Sequence, residues 1–157
     1  MPVTQSTFKL RDPRYQHPLC AMPTAKGLLG LAEEEVGELV DCGTLAAVDI
    51  RHPGAAKREL RILTASIAAQ QQEQAMEWPP ERVAATVLAG LKHEKPFVSG
   101  LEVQRLLNCG RQHATNLILA GREGLPHAPN ARPRRGPGGS PMVAREDLAK
   151  WLEARVV

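Results

Sequence analysis

Arg111, Gln112, Thr115 and Asn116 are the side chains whose types and spacing best suit a chemical task. On a helix these positions share one face. Arginine can grip guanine with two hydrogen bonds, and glutamine or asparagine offers adenine a matching donor and acceptor. Lys95 and Arg105 stand before this cluster, and Arg132, Arg134 and Arg135 follow it, as cations suited to phosphate. Chemistry that makes or breaks bonds is not encoded in any familiar form. The chain has no Walker loop, no H-E-x-x-H and no G-x-S-x-G. Cys109 and His113 are four residues apart but lack two further metal ligands, so a buried thiol and an imidazole are expected there. The expectation is therefore no catalytic residue, no metal and no cofactor.

The segment that must position these side chains runs from Phe97 to Gly121, FVSGLEVQRLLNCGRQHATNLILAG. Ser99 and Glu102 form an S-x-x-E capping box, a start signal for one helix. Leu101, Val103, Leu106 and Leu107 are expected on its buried side. Asn108-Cys109-Gly110 breaks the run. A second helix then starts near Arg111, with Ala114, Leu117 and Ile118 inward and Arg111, Gln112, Thr115 and Asn116 outward. Gly121 suits its left-handed end. Two helices, a short turn and a hydrogen-bonding outer face describe a helix-turn-helix.

The distribution of charge points the same way. The net charge is only +3, but residues 1–79 hold 8 basic and 10 acidic side chains (−2), and residues 80–157 hold 12 and 7 (+5). A polyanion is the expected partner of the second half. Cys20, Cys42 and Cys109 are an odd, scattered set, which fits a reducing cytoplasm better than a disulfide framework. No apolar run reaches the ~20 residues that span a bilayer, and the first residues carry no apolar signal-peptide core. No membrane role is expected; a cytoplasmic, nucleoid-associated protein is.

A repeat organises the chain. Shifted by 78 residues, PLCAMPTAKGLLGLAEEEVGELVDCG from Pro18 overlays PFVSGLEVQRLLNCGRQHATNLILAG from Pro96 without a gap. Pro18 meets Pro96, Leu28 and Leu29 meet Leu106 and Leu107, Leu39 meets Leu117, and Gly43 meets Gly121. In the first copy, 45–50 then reads as a strand, 52–55 as a turn and 57–63 as a returning strand, which together make a wing. A helix opens at Ser66 and is expected to run to Trp78. In the second copy the wing is LPHAPNARPRRGPGGSPMVA, and the closing helix contains Leu148 and Trp151. Ile67 matches Leu148 at an offset of 81, so the second wing is three residues longer. The expected organisation is a flexible arm over 1–17 and a first unit over 18–78. A connecting helix over 79–95 follows, with Val83, Ala84, Val87, Leu88 and Leu91 on one face, and then a second unit over 96–157.

Leu28-Leu29-Gly30-Leu31, Gly43-Thr44-Leu45 and the Arg58/Arg61 wing, then Leu106-Leu107-Asn108-Cys109, Gly121 and Asp147-Leu148 with Trp151-Leu152, resemble the excisionase-type winged helix-turn-helix family, related to the MerR-type DNA-binding domain. The resemblance covers about four-fifths of the chain as two copies. It implies a mainly α fold with small β-hairpin wings, in tandem winged helix-turn-helix units. It also implies a double-stranded DNA-binding protein, either a transcription regulator or an excisionase-like architectural factor. Two departures stand out. The first copy's reading helix carries Glu33, Glu34, Glu35 and Glu38, which repel phosphate. That acidic face is expected to meet a protein partner, leaving Arg51, Lys57, Arg58 and Arg61 of its wing for phosphate. The second wing, Arg132-Pro133-Arg134-Arg135-Gly136-Pro137, resembles an AT-hook suited to a narrow minor groove; a basic loop holding phosphate without selectivity is the alternative. Two rival functions also stay open: a small-terminase-like packaging adaptor, and a protein-interaction module that has lost DNA binding. One such domain reads few base pairs, so a homodimer is one way to useful specificity.

Overall fold

The computed structural model describes residues 16–52, 55–91, 96–119 and 142–157. Among these the chain is mixed α and β, with seven helices and two small antiparallel sheets. It begins with strand β1 (Leu19–Ala21), which runs directly into helix α1 (Met22–Leu29). Gly30 ends α1 at φ 67°, a left-handed conformation that glycine adopts without a Cβ clash. Helix α2 (Glu33–Asp41) follows, with Val36 and Val40 inward and its glutamates outward. Strands β2 (Ala47–Asp49) and β3 (Leu60–Leu63) then lead to helix α3 (Thr64–Gln71). Helix α4 (Pro80–Leu88) starts on a proline, whose missing N–H costs nothing at that position.

A similar order then recurs, with no counterpart of β2 among the described residues: strand β4 (Phe97–Ser99), helix α5 (Gly100–Leu107), helix α6 (Arg111–Leu119), strand β5 (Met142–Ala144) and helix α7 (Arg145–Arg155). β4, α5 and α6 begin and end 78 residues after β1, α1 and α2. Strand pairing repeats as well. Leu19 faces Leu63 in β1–β3, and Phe97 faces Ala144 in β4–β5, offsets of 78 and 81. The Thr64 N–H donates to the Pro18 carbonyl at 3.0 Å, and the Arg145 N–H donates to that of Pro96 at 2.8 Å, at the same two offsets.

The first sheet, ordered β1-β3-β2, is buried on both faces. Side chains alternate across a strand, and here each alternate set joins a different core. Cys20, Ala47 and Ile62 pack with Ala25, Val36, Val40 and Ile67 from α1, α2 and α3. Leu19, Ala46, Val48 and Leu63 pack instead with Val83, Ala84, Val87 and Leu88 of α4 and with Val103, Leu107, Leu148 and Leu152 of α5 and α7. The end of α7 closes this arrangement. Val156 bridges Val48 in antiparallel fashion, and the Val157 N–H donates to the Ala47 carbonyl at 2.9 Å.

Three local expectations are corrected. Leu101 is 52% exposed, so the inward face of α5 is Val103, Leu106 and Leu107 alone. β3 spans 60–63 instead of 57–63; Glu59 turns its carboxylate to His113 of α6, as described below. The helix opened at Thr64 stops at Gln71. Glu73 takes φ 56°, and the Gln74 N–H reaches back to the Ala69 carbonyl at 2.9 Å, a left-handed helix stop that needed no glycine. The expected arm over 1–17 lies, except for Gln16 and His17, outside the described residues.

Two outcomes follow from this packing. A fragment of residues 79–157 lacks the face of the first sheet against which α5 and α7 pack, and should show no cooperative thermal transition by circular dichroism where the full chain does. Gly37 lies within α2 with open space where a Cβ would stand. Gly37→Ala should therefore stabilise the full chain by about 1 kcal/mol in chemical denaturation.

Candidate functional site

Helix α6 is set by the turn before it. Asn108 ends α5 at φ 51°, a left-handed conformation asparagine tolerates better than most side chains. Upstream, the Ser99 hydroxyl accepts from the Glu102 N–H at 3.2 Å, and the Glu102 carboxylate accepts from the Ser99 N–H at 3.3 Å, which completes the capping box. Ala114 and Leu117 anchor α6 in the shared core. Arg111 and Gln112 are exposed, while Thr115 and Asn116 are half-buried. The Gln112 amide donates to the Asn116 side-chain oxygen at 3.0 Å, which orders the outer face one turn along.

Across from α6 lies the loop joining β2 to β3; two contacts tie its base to His113 of α6, a third ties Arg61 of β3 to the turn before α6, and a fourth joins Arg61 to Glu59. Arg61 Nε donates to the Asn108 carbonyl at 3.0 Å. His113 Nε2 lies 2.6 Å from the Ile50 carbonyl. His113 Nδ1 lies 3.5 Å from a Glu59 carboxylate oxygen, and the other oxygen of that carboxylate pairs with Arg61 at 3.0 Å. A polar cluster thus joins the first half of the chain to the turn and first residues of α6. Cys109 sits beside it, and burial pushes its thiol up to about 11, partly opposed by the Arg61 charge.

These contacts sort the arginines and lysines expected to be free. Arg61 is committed internally: its side chain is 13% exposed and donates to Asn108, Glu59 and the Leu60 carbonyl. It is therefore a brace and not a free cation. Arg51 is also engaged, with Nε 3.2 Å from Asp49 and a longer bond to the Ala56 carbonyl at 3.4 Å. Asp49 itself is buried and accepts from the Arg51 and Glu59 N–H groups, so it caps the loop and adds nothing to the acidic surface. Lys57, Arg58, Arg105 and Arg111 are exposed. Lys95, Arg132, Arg134 and Arg135 lie outside the described residues. The structure thus brings His113 of α6 against Ile50 and Glu59 at the base of the loop that carries Lys57 and Arg58. Sequence reasoning missed the contacts that Glu59 makes with His113 and Arg61 with the Asn108 carbonyl, the latter 47 residues apart.

At matching positions the two copies carry opposed chemistry. Glu33, Glu34 and Glu38 of α2 occupy the places of Arg111, Gln112 and Asn116 of α6, with Val36 and Ala114 both buried beneath them. Glu33, Glu34, Glu35 and Glu38 are all exposed. Among the described residues no group of His, Cys, Asp and Glu could hold a metal, and no helix is long and apolar enough to cross a membrane. An open groove between Cys42-Gly43-Thr44 and 73–79 carries Glu73 and Glu77 with no cation on its walls, which suits it poorly to phosphate. The chain matches no protein-family model, and no curated protein or solved structure is significantly similar to it.

The three thiols differ enough to be told apart chemically. Burial raises Cys20 and Cys109 to about 11, whereas hydrogen bonding from Thr44 lowers exposed Cys42. The thiolate is the reactive form. Iodoacetamide at pH 8 should therefore modify Cys42 in the native chain, and Cys20 and Cys109 only after denaturation, as read by peptide mass spectrometry.

Proposed function

We propose that this chain is a non-enzymatic double-stranded DNA-binding protein built from two winged helix-turn-helix units, acting as a transcription regulator or an excisionase-like architectural factor. In this reading α6 enters the major groove. The observation that carries it is the start of α6: Arg111 and Gln112 are exposed on a helix whose opposite face is locked into the core by Ala114 and Leu117. A helix start presenting a forked cation and an amide is what base edges in the major groove require. Strand, helix, turn, helix, two-stranded hairpin and closing helix, in that order in the first unit, support the winged helix-turn-helix reading. Lys95, Arg132, Arg134 and Arg135 remain proposed contacts to backbone or minor groove. A cytoplasmic, nucleoid-associated location goes with this reading.

A second role rests on α2. Its exposed Glu33, Glu34, Glu35 and Glu38 cannot approach phosphate without repulsion, and they stabilise the helix start through its dipole. We assign this face to a basic protein partner. The packaging-adaptor reading differs from the regulator reading in that partner, which would be a motor.

The test is a footprint of the full chain on duplex DNA from selected or native flanking sequence, followed by variants. Arg111→Ala should weaken specific binding by roughly 1–3 kcal/mol and relax discrimination at one base position, as a lost bidentate contact does. Binding of the parent that is independent of salt, or Arg111→Ala binding with parental affinity and specificity, would overturn the assignment of α6.

A further inference from the structure

We infer that Arg61, Glu59 and His113 are positioning residues for α6: the first unit sets the angle at which Arg111 and Gln112 meet base edges, and so sets selectivity without touching the bases itself. This rests on the proposed reading of α6 as a DNA-reading helix, and it adds that the joint between the two units tunes what that helix reads.

Contacts to the first unit bracket Arg111 and Gln112 in the chain. Upstream, Arg61 Nε donates to the carbonyl of Asn108, in the turn before α6, at 3.0 Å. Downstream, His113 follows Gln112 directly, and its Nε2 lies 2.6 Å from the Ile50 carbonyl. A carbonyl oxygen only accepts, so the Nε2–H donates there. Glu59 joins the two sides. One of its carboxylate oxygens accepts from Arg61 Nη2 at 3.0 Å, and the other lies 3.5 Å from His113 Nδ1. Ile50 and Glu59 are themselves joined, the Ile50 N–H donating to the Glu59 carbonyl at 2.9 Å.

Ala114 and Leu117 hold the inner side of α6 in the core, and both follow Arg111 and Gln112 in the chain. The helix start therefore lies ahead of its own apolar anchors, where the polar contacts take over. A paired base contact tolerates misplacement of only about half an ångström and 10–20°. Contacts to phosphate fix register but carry no sequence information. A tilted helix start would thus lose base discrimination and keep affinity for the backbone. The first copy uses the matching position differently. Glu35 stands there, and its carboxylate accepts the Ala32 N–H at 3.2 Å, a bond within its own helix start. The position is used locally in α2 and across the joint in α6.

The experiment uses the full chain and the duplex site found by the footprint, with affinity measured against salt concentration on that site and on a scrambled duplex. Each variant is first checked for the parent's thermal transition. His113→Ala should lower the ratio of specific to scrambled binding several-fold, with scrambled affinity and its salt slope unchanged, because no phosphate contact is lost. His113→Gln places an amide N–H near the position of Nε2 and should recover most of the ratio. Arg61→Lys keeps the charge but loses the planar fork that serves Asn108 and Glu59 at once, and should behave like His113→Ala. Glu59→Gln changes one partly exposed side chain and keeps the backbone bonds of Glu59, so it tests the link even if the Arg61 variant does not fold; its ratio should fall between those of His113→Ala and the parent. Parental ratios in His113→Ala and Glu59→Gln, or an equal loss on both duplexes, would overturn the inference. A His113→Gln ratio no better than that of His113→Ala would remove the Ile50 contact from it. The two readings fail in different ways. A parent that does not bind duplex DNA ends the proposal for α6 and this one with it, whereas a parent that binds with these variants indistinguishable from it ends this inference alone.

Discussion

One three-stranded sheet has apolar side chains on both faces, and the rest of the structure follows from the need to cover both. Cys20, Ala47 and Ile62 are satisfied by the helices of their own unit. Leu19, Val48 and Leu63 point the other way, and burying each such side chain is worth roughly 1.5–3 kcal/mol. In a solitary unit of this size that second face would be wet. Here α4, α5 and α7 cover it, and Val156 adds a bridge at the edge of β2. The two copies are consequently not beads on a string. They share a core, and the second copy's helices are held in place partly by the first copy's strands.

The shared core gives the polar cluster around Arg61 its rigidity. Hydrogen bonds from an arginine to a backbone carbonyl are worth little when both partners can move, and more when packing has already fixed them. Asn108 is fixed by the end of α5 and by Leu107 beneath it; Arg61 is fixed by strand pairing with Ala21 and Val48 on either side. The carboxylate of Glu59 lies between Arg61 and His113, so one acidic group links side chains from different halves of the chain. The acidic character of the first half is therefore of two kinds. Asp49 and Glu59 are spent on internal contacts, while the glutamates of α2 face solvent.

Features set by local chemistry were legible in the sequence. Ser99 and Glu102 announce the start of α5, Asn108 and Gly110 the turn, and the 78-residue offset matches the spacing of α1 to α5 and of α2 to α6, while strands β1 and β4 were not read from the sequence. Pairing at that offset needed only matched apolar positions, because both copies solve the same packing problem. Features set by distant contact were not legible. Leu101 looks inward by type, yet the neighbouring elements leave it uncovered. Glu73 stops a helix because the chain must turn towards α4, a demand that no residue nearby advertises. Arg61 reads as a free cation because one of its partners, the Asn108 carbonyl, is 47 residues away and becomes a neighbour only when the second copy docks; Asp49 and Glu59 lie two residues from Arg51 and Arg61, and those pairs were within reach of the sequence. A sequence lists charges; only the fold shows which of them neutralise one another.

The opposed chemistry of α2 and α6 bears on what each helix can do. Glu33 and Arg111 begin equivalent helices, and each is exposed at an end where backbone N–H groups point outward. For α2 the carboxylates complement that positive end, so Glu33, Glu34 and Glu35 stabilise the helix without any ligand, and the Ala32 N–H finds Glu35 at 3.2 Å. For α6 an arginine at the same place adds positive charge to a positive end and makes the helix slightly worse in isolation. His113, within the first turn, meets Ile50 and Glu59 of the other unit. The start of α6 therefore carries positive charge where α2 carries three glutamates. Matched positions in one chain thus carry opposite charge on helices whose inner faces, Val36 and Ala114, are buried alike.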